Sequence, residues 1–148
     1  MKFAIIYKSR GCNTEKVAKA MGNELGIGTI NIDEVHTLPD ADVLFIGFAI
    51  YNKKPDETLL KYLDNLPANS YRGAVLFSTS CFKVDYSELI ENTLRAKNIG
   101  VYPRHFLCRG KWLMFAKGRP NEKDLKRAAS FAKGVTMELD RAAKASSK

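Results

Sequence analysis

The sequence predicts an α/β three-layer sandwich in which a five-stranded parallel sheet, strand order 2-1-3-4-5, lies between two helical layers. Three observations carry this expectation. Short apolar runs without polar alternation, the pattern of strands covered on both faces, recur along the chain. Between them lie segments whose apolar residues repeat every three or four positions, as an amphipathic helix requires. The pieces follow the order β-α-β-loop-β-α-β-α-β-α, which makes the strands parallel and their crossovers right-handed.

Phe3-Ala4-Ile5-Ile6-Tyr7 is the first strand. The helix after it runs from Thr14 to Leu25, with Val17, Met21 and Leu25 at four-residue steps, Ala18 beside them, and Glu15, Lys16 and Lys19 outward. Gly26 and Gly28 stop it. Thr29 to Ile32 is short and β-branched, an edge strand, and Asp33 to Asp42, with His36 and Pro39 but no periodicity, is a loop. Val43-Leu44-Phe45-Ile46-Gly47 is the central strand, followed by a loop from Phe48 to Lys54. Pro55 and Asp56 open a second helix in which Leu59, Leu60, Leu63 and Leu66 share a face, and Pro67 ends it. Ala74-Val75-Leu76-Phe77-Ser78 is the next buried strand. A loop to Asp85 leads into a helix to Lys97 that turns Leu89, Ile90, Thr93 and Leu94 inward. Val101 to Leu107, interrupted by Pro103, is a strand near the sheet edge. Asn121 caps the last helix, with Leu125, Ala128, Ala132, Val135 and Leu139 inward and Lys123, Lys126, Arg127 and Lys133 in water. The tail from Ala142 is expected to fray.

At 148 residues the chain is the size of one domain, residues 1–148, with enough core to fold without disulfides or a metal. Its 45% hydrophobic and 27% charged content excludes disordered and collagen-like classes. Cys12, Cys81 and Cys108 form no CxxC pair and are odd in number, which fits a reducing compartment, so a cytoplasmic location is expected. The apolar stretch between Lys2 and Lys8 is too short for a signal h-region or a membrane span. The formal charge of +8 is concentrated late: residues 109–148 carry 11 basic and 4 acidic groups, residues 1–108 carry 13 and 12. Such asymmetry attracts an acidic protein, an anionic membrane or nucleic acid, and a solvated helix face produces it too. Nucleic acid is not the expected partner.

In doubly wound sheets ligands sit beyond the carboxyl ends of the strands, at the switch point. That gathers residues 8–14, 48–54, 78–85 and 108–119 into one site. The first of these carries the sharpest signal. Ser9-Arg10-Gly11-Cys12-Asn13-Thr14 joins a buried strand directly to a helix, so unpaired N–H groups and the positive helix end converge where an anion belongs. Capping by Thr14 or Asn13, with Gly11 permitting the turn, accounts for the same residues without a ligand. A Cys-x5-Arg phosphatase loop is excluded because Ala18 stands where the Arg is required, and a phosphorelay receiver because the third strand ends in Gly47-Phe48 rather than Asp. His36 and His105 lack the carboxylate spacing of a metal site, and none is expected.

On these residues the chain resembles the short-chain flavodoxin family over nearly its whole length, which implies a flavodoxin-like three-layer sandwich. In that family the first loop reads Thr/Ser-x-Thr/Ser-Gly-Asn-Thr and wraps the phosphate of FMN with backbone N–H and hydroxyl donors. Ser9, Asn13 and Thr14 match; Gly11 stands at the second hydroxyl and Cys12 at the usual glycine, with Arg10 or Lys8 available for a charge-assisted contact instead. The resemblance further implies flavin contacts from Ala49, Ile50, Tyr51 and Asn52, with Tyr51 as the stacking aromatic. It implies donors to the pyrimidine edge from Ser78, Thr79, Ser80 and Cys81, with Phe82 and Tyr86 competing as a second aromatic. Lys83 and the single Asp85 stand where many members bear an acidic stretch, and a cation there favours the negatively charged reduced ring, hence a less negative potential. The loop from Cys108 to Trp112 resembles one that lies near the flavin edge, where Trp112 would either cover the cofactor or plug the sheet's end, and Arg109, Lys111, Lys117 and Arg119 would receive an acidic redox partner. The implied function is FMN-dependent electron transfer with no catalytic side chain. The alternatives are a small FMN-dependent quinone reductase and a flavin-free binding or regulatory module that uses the basic C-terminal face.

Overall fold

The structure, a computed structural model, describes residues 1–81, 84–110 and 117–146. Strand β1 (Phe3–Lys8) lies between β2 (Thr29–Asn31) and β3 (Val43–Tyr51), and β5 (Gly73–Ser80) lies beyond β3. These pairings are parallel, in the registers Ile5↔Thr29, Ile5↔Phe45 and Phe45↔Val75. Two short strands share the outer edge of β5: β6 (Gly100–Val101) beside Gly73 and Ala74, and β7 (Phe106–Arg109) beside Phe77 to Ser80. Together they are the last strand of the expected order, broken around Pro103, whose ring fixes φ and removes a donor. A further strand, β4 (Lys54–Pro55), folds back antiparallel on β3, so among the described residues the sheet has seven strands where five were expected.

Helices α1 (Asn13–Leu25) and α4 (Glu122–Ser146) cover one face, and α2 (Glu57–Asp64) and α3 (Glu88–Ala96) the other. Successive side chains of a strand alternate between the layers: Ile5, Phe45 and Val75 pack under α1 and α4, Ile6, Ile46 and Leu76 under α2 and α3. This two-sided burial is why the strands read as unbroken apolar runs. Gly47 is a packing requirement within β3, because a Cβ there would lie 2.3 Å from the Phe77 ring.

Several expectations need correction. The loop placed at 48–54 is a strand to Tyr51 followed by a two-residue turn at Asn52 and Lys53, both at positive φ (51° and 62°), the backbone of a type I′ hairpin. Likewise β5 continues past Ser78 through Thr79 and Ser80, because β7 pairs with both and β3 with Thr79. Ile32, expected as the end of the edge strand, instead opens a 3-10 turn, Ile32–Glu34, that runs into the segment expected as loop. Leu89 is 50% exposed and does not face the core; Ile90 and Leu94 do. Finally, α4 is helical through Ala142 to Ser146, where fraying was expected. The turns before it are tied down: the Met1 amine lies 3.3 Å from Asp140, and Arg104 and Tyr102 bond Glu138. Among the described residues no helix is long and apolar enough to cross a membrane.

Candidate functional site

The carboxyl ends of β1, β3, β5 and β7 converge on one edge of the sheet. The first loop departs from β1 at Lys8 and enters α1 through Cys12, which sits in the left-handed region (φ 65°, ψ 0°). The side chain of the N-cap residue Cys12 makes no capping hydrogen bond, and the first bond of α1 runs from the Lys16 N–H to the Cys12 carbonyl at 3.1 Å. Its first amides therefore point out of the loop, with the positive helix end behind them. The Ser9 hydroxyl is buried in this loop and has no hydrogen-bond partner among the described residues. Buried hydroxyls are rarely left so, and one at a helix start suits an oxyanion ligand. A Cβ on Gly11 would meet nothing within 4 Å, so the loop is open to solvent at that point.

Neighbouring segments hold the loop from three sides. Arg10 reaches to the hairpin, its Nε donating to Asp56 at 3.0 Å and its guanidinium lying 4.5 Å from the centre of the Tyr51 ring. The Arg10 N–H donates to the Tyr51 hydroxyl at 3.3 Å. Asp56 is buried and caps α2 by accepting from the Thr58 N–H at 2.8 Å. Burial works to raise its pKa, and the bonds from Thr58 and Arg10 outweigh that and hold the carboxyl below its ordinary value. On the second side, Thr14 and Thr79 share a buried hydrogen bond of 2.8 Å. On the third, the Gly110 N–H donates to the Ser80 carbonyl at 2.8 Å and a Cβ on Gly110 would lie 2.8 Å from the Asn13 side chain, so glycine lets this loop close on α1. Arg109 adds a bond from its Nε to the Cys81 carbonyl at 3.3 Å.

The segments predicted to meet do meet, but their residues divide. Ser9, Arg10, Gly11 and Cys12 form the open loop, with Asn13 as the first residue of α1. Tyr51 and Asn52 stand at the hairpin beside it. Thr14, Ala49, Ser78 and Thr79 are buried strand or helix residues, so they support the cradle rather than line it. Ile50 is held in the hairpin ladder opposite Pro55. Ser80 and Cys81 end β5 against Arg109 and Gly110, and Tyr86 is half-buried in the segment that follows. Phe82, Lys83, Lys111 and Trp112 lie outside the described residues. Lys8 is paired with Asp33 and Arg10 with Asp56, so both proposed substitutes for the missing hydroxyl already have carboxylate partners.

The sequence reading missed two things. Asp56 was seen as a helix start and not as the partner of Arg10, 46 residues away. The fit of Gly110 against Asn13 had no sequence signal. His105 is a half-buried structural tie: its Nδ1 lies 2.8 Å from Asp85 and 3.0 Å from the Ser87 hydroxyl, fixing the segment that carries Tyr86. Glu91 lies 3.0 Å from the His105 Nε2, near enough for attraction but out of line for a hydrogen bond.

Residues 4–114 match the Flavodoxin domain family. An uncharacterized protein of Methanocaldococcus jannaschii is 32% identical over 149 residues, spanning 91% of this chain and 98% of its own. Among solved structures, a flavodoxin from the domain Archaea superposes with a TM-score of 0.72 at 19% identity, over 95% of this chain and 99% of that one. Oxidised flavodoxin 1 from Bacillus cereus gives 0.69 at 14%, over 90% and 95%. A flavodoxin mutant of Fusobacterium nucleatum bound to flavin mononucleotide gives 0.67 at 14%, over 93% and 97%. The superpositions show a shared fold, and the match over residues 4–114 shows kinship: this chain belongs to the flavodoxin family.

Proposed function

We propose that this chain binds FMN at the 9–14 loop and serves as an electron-transfer protein. The observation that carries this reading is the Ser9 hydroxyl, buried and without a hydrogen-bond partner among the described residues, beside a start of α1 that the Cys12 side chain does not cap. A phosphate there would satisfy Ser9 and receive the first helix amides without needing a basic side chain. Bound FMN would supply the electron chemistry, and the chain supplies binding, orientation and shielding. Ser9, Gly11, Cys12 and Asn13 hold the phosphate, Tyr51 and Asn52 flank the ring from the hairpin, and Ser80, Cys81 and Tyr86 border its other edge. Thr14 and Thr79 fix the spacing between the phosphate loop and β5. The basic residues of the C-terminal segment, 11 against 4 acidic, suit an acidic redox partner.

Titrating the purified protein into FMN and following flavin fluorescence tests the reading. Saturable quenching with a Kd at or below about 1 μM, a binding free energy near −8 kcal/mol, is expected. FMN that stays fluorescent and unbound at that concentration rejects it. One observation favours the flavin-free module as the second reading: the Arg10 amide is already matched by the Tyr51 hydroxyl, and Cys12 puts a side chain at the mouth.

A further inference from the structure

Arg10 leaves the first loop and engages two residues of the hairpin region at once. Its side chain is 61% exposed, yet its position is fixed by a carboxylate that is only 4% exposed and is itself held by the Thr58 amide. The guanidinium lies over the Tyr51 ring, an arrangement that a planar, weakly hydrated cation favours and a lysine ammonium does not reproduce. Tyr51 is held a second time by the bond between its hydroxyl and the Arg10 N–H. Ring and cation therefore form one unit, anchored below by Asp56 and facing the edge where β1 and β3 end.

Resting on the FMN reading above, we propose that Arg10 is a positioning residue that sets the reduction potential of the site: it fixes the Tyr51 ring and brings a positive charge close to the flavin that the ring flanks. Reduction adds negative charge to the flavin. A fixed cation nearby favours the reduced form, and the low dielectric of a covered ring weakens the screening. Asp56 opposes part of that field, which makes it the internal control. Asp56→Asn retains a residue that caps α2 well while removing the opposing charge.

The experiment measures, for wild type, Arg10→Gln, Arg10→Lys and Asp56→Asn, the Kd of oxidised FMN and the midpoint potential of the FMN-loaded protein in a dithionite titration. Arg10→Gln is expected to weaken reduced FMN relative to oxidised FMN by about tenfold, the scale of a unit charge about 10 Å away at an effective dielectric of ~20, and so to make the potential more negative. Arg10→Lys recovers part of the shift, because the charge remains and the stacking does not. Asp56→Asn moves the potential the other way. An Arg10→Gln potential equal to or above wild type, with oxidised FMN still bound, overturns this inference and leaves the FMN reading intact. Absence of FMN binding by the wild-type protein overturns both.

Discussion

Two helices packed side by side on the same face of the sheet, α1 and α4, begin at the same edge and begin in opposite ways. The start of α4 is closed. Asn121 accepts from the Asp124 N–H at 2.9 Å and its own N–H donates back to Asp124 at 2.8 Å, a reciprocal cap with Asp in place of the usual Glu. Asp124 is buried and also takes two bonds from Arg119, at 2.5 and 2.7 Å, and one from Arg127 at 3.3 Å. The start of α1 is open. Its N-cap residue is a left-handed cysteine whose side chain makes no capping bond, and Ser9, three residues earlier, buries a hydroxyl that has no partner among the described residues. Helix starts are ordinarily satisfied from within. One that is not, next to one that is fully satisfied, is the contrast on which the proposed phosphate site rests.

The comparison breaks most visibly if closing α4 contributes nothing. Asp124→Ala removes the reciprocal cap and leaves Arg119 and Arg127 without their shared carboxylate, and it should lower unfolding free energy by about 2 to 3 kcal/mol in urea. A loss below about 0.5 kcal/mol, the range of ordinary surface substitutions, would show that the α4 start is not held as described. The pH dependence has a defined sign. Burial pushes the Asp124 pKa up, but the Arg119 bonds, the Asn121 amide and the charges of both arginines hold it below the ordinary aspartate value of 3.8. A group depressed on folding stabilises fully above its unfolded pKa and loses that contribution as pH falls through the folded one. Wild type should therefore lose stability below pH 3.8, and Asp124→Asn should lose less over the same interval.

What the sequence disclosed follows the same division between closed and open features. Periodicity made the layers legible, because two-sided burial writes itself into runs such as Val43 to Ile46, and the cap at Asn121 was legible because capping residues are few. The strand ends were not: whether Thr79 and Ser80 are loop or strand is decided by β7 pairing with both and β3 with Thr79, a tertiary fact that polar residues do not announce. The tie between Arg10 and Asp56 depends on the hairpin bringing residue 56 under residue 10. The open loop at 9–12 was the most readable part of the site, since strand and helix adjoin there with no room for another architecture.

Ser9→Ala tests the open helix start directly, and stability and affinity should move in opposite directions. A buried hydroxyl without a partner carries a desolvation penalty of roughly 1–3 kcal/mol, so replacing it with a methyl should raise the stability of the ligand-free protein, by about 1 kcal/mol after partial compensation by nearby groups. The same change should weaken FMN about tenfold or more, the usual cost of one hydrogen bond to a charged acceptor. If Ser9→Ala instead destabilises the protein, the hydroxyl has an internal partner and the start of α1 is as closed as that of α4.

The smallest effect, and the sharpest, belongs to Cys12. An L-residue in the left-handed region costs about 1–2 kcal/mol relative to glycine, while glycine adds roughly 0.5–1 kcal/mol of unfolded-state entropy, so Cys12→Gly should stabilise by about 0.5 kcal/mol. Cys12→Ala separates backbone from thiol: it retains the strained φ of 65° and removes only the sulfur and its contact with Glu15. If strain is the operative term, glycine gains and alanine does not. If the thiol matters through Glu15, both variants lose. For FMN the two should also diverge, because glycine restores the residue that the resembled loops carry at this point and clears the rim, while alanine keeps a Cβ beside the amides. Glycine binding FMN more tightly than both alanine and wild type would show that this chain retains its cysteine at a measurable cost to the open helix start. Equal affinities across all three would mean that the amides of Asn13 and Thr14, and not the geometry at residue 12, set the grip on the phosphate.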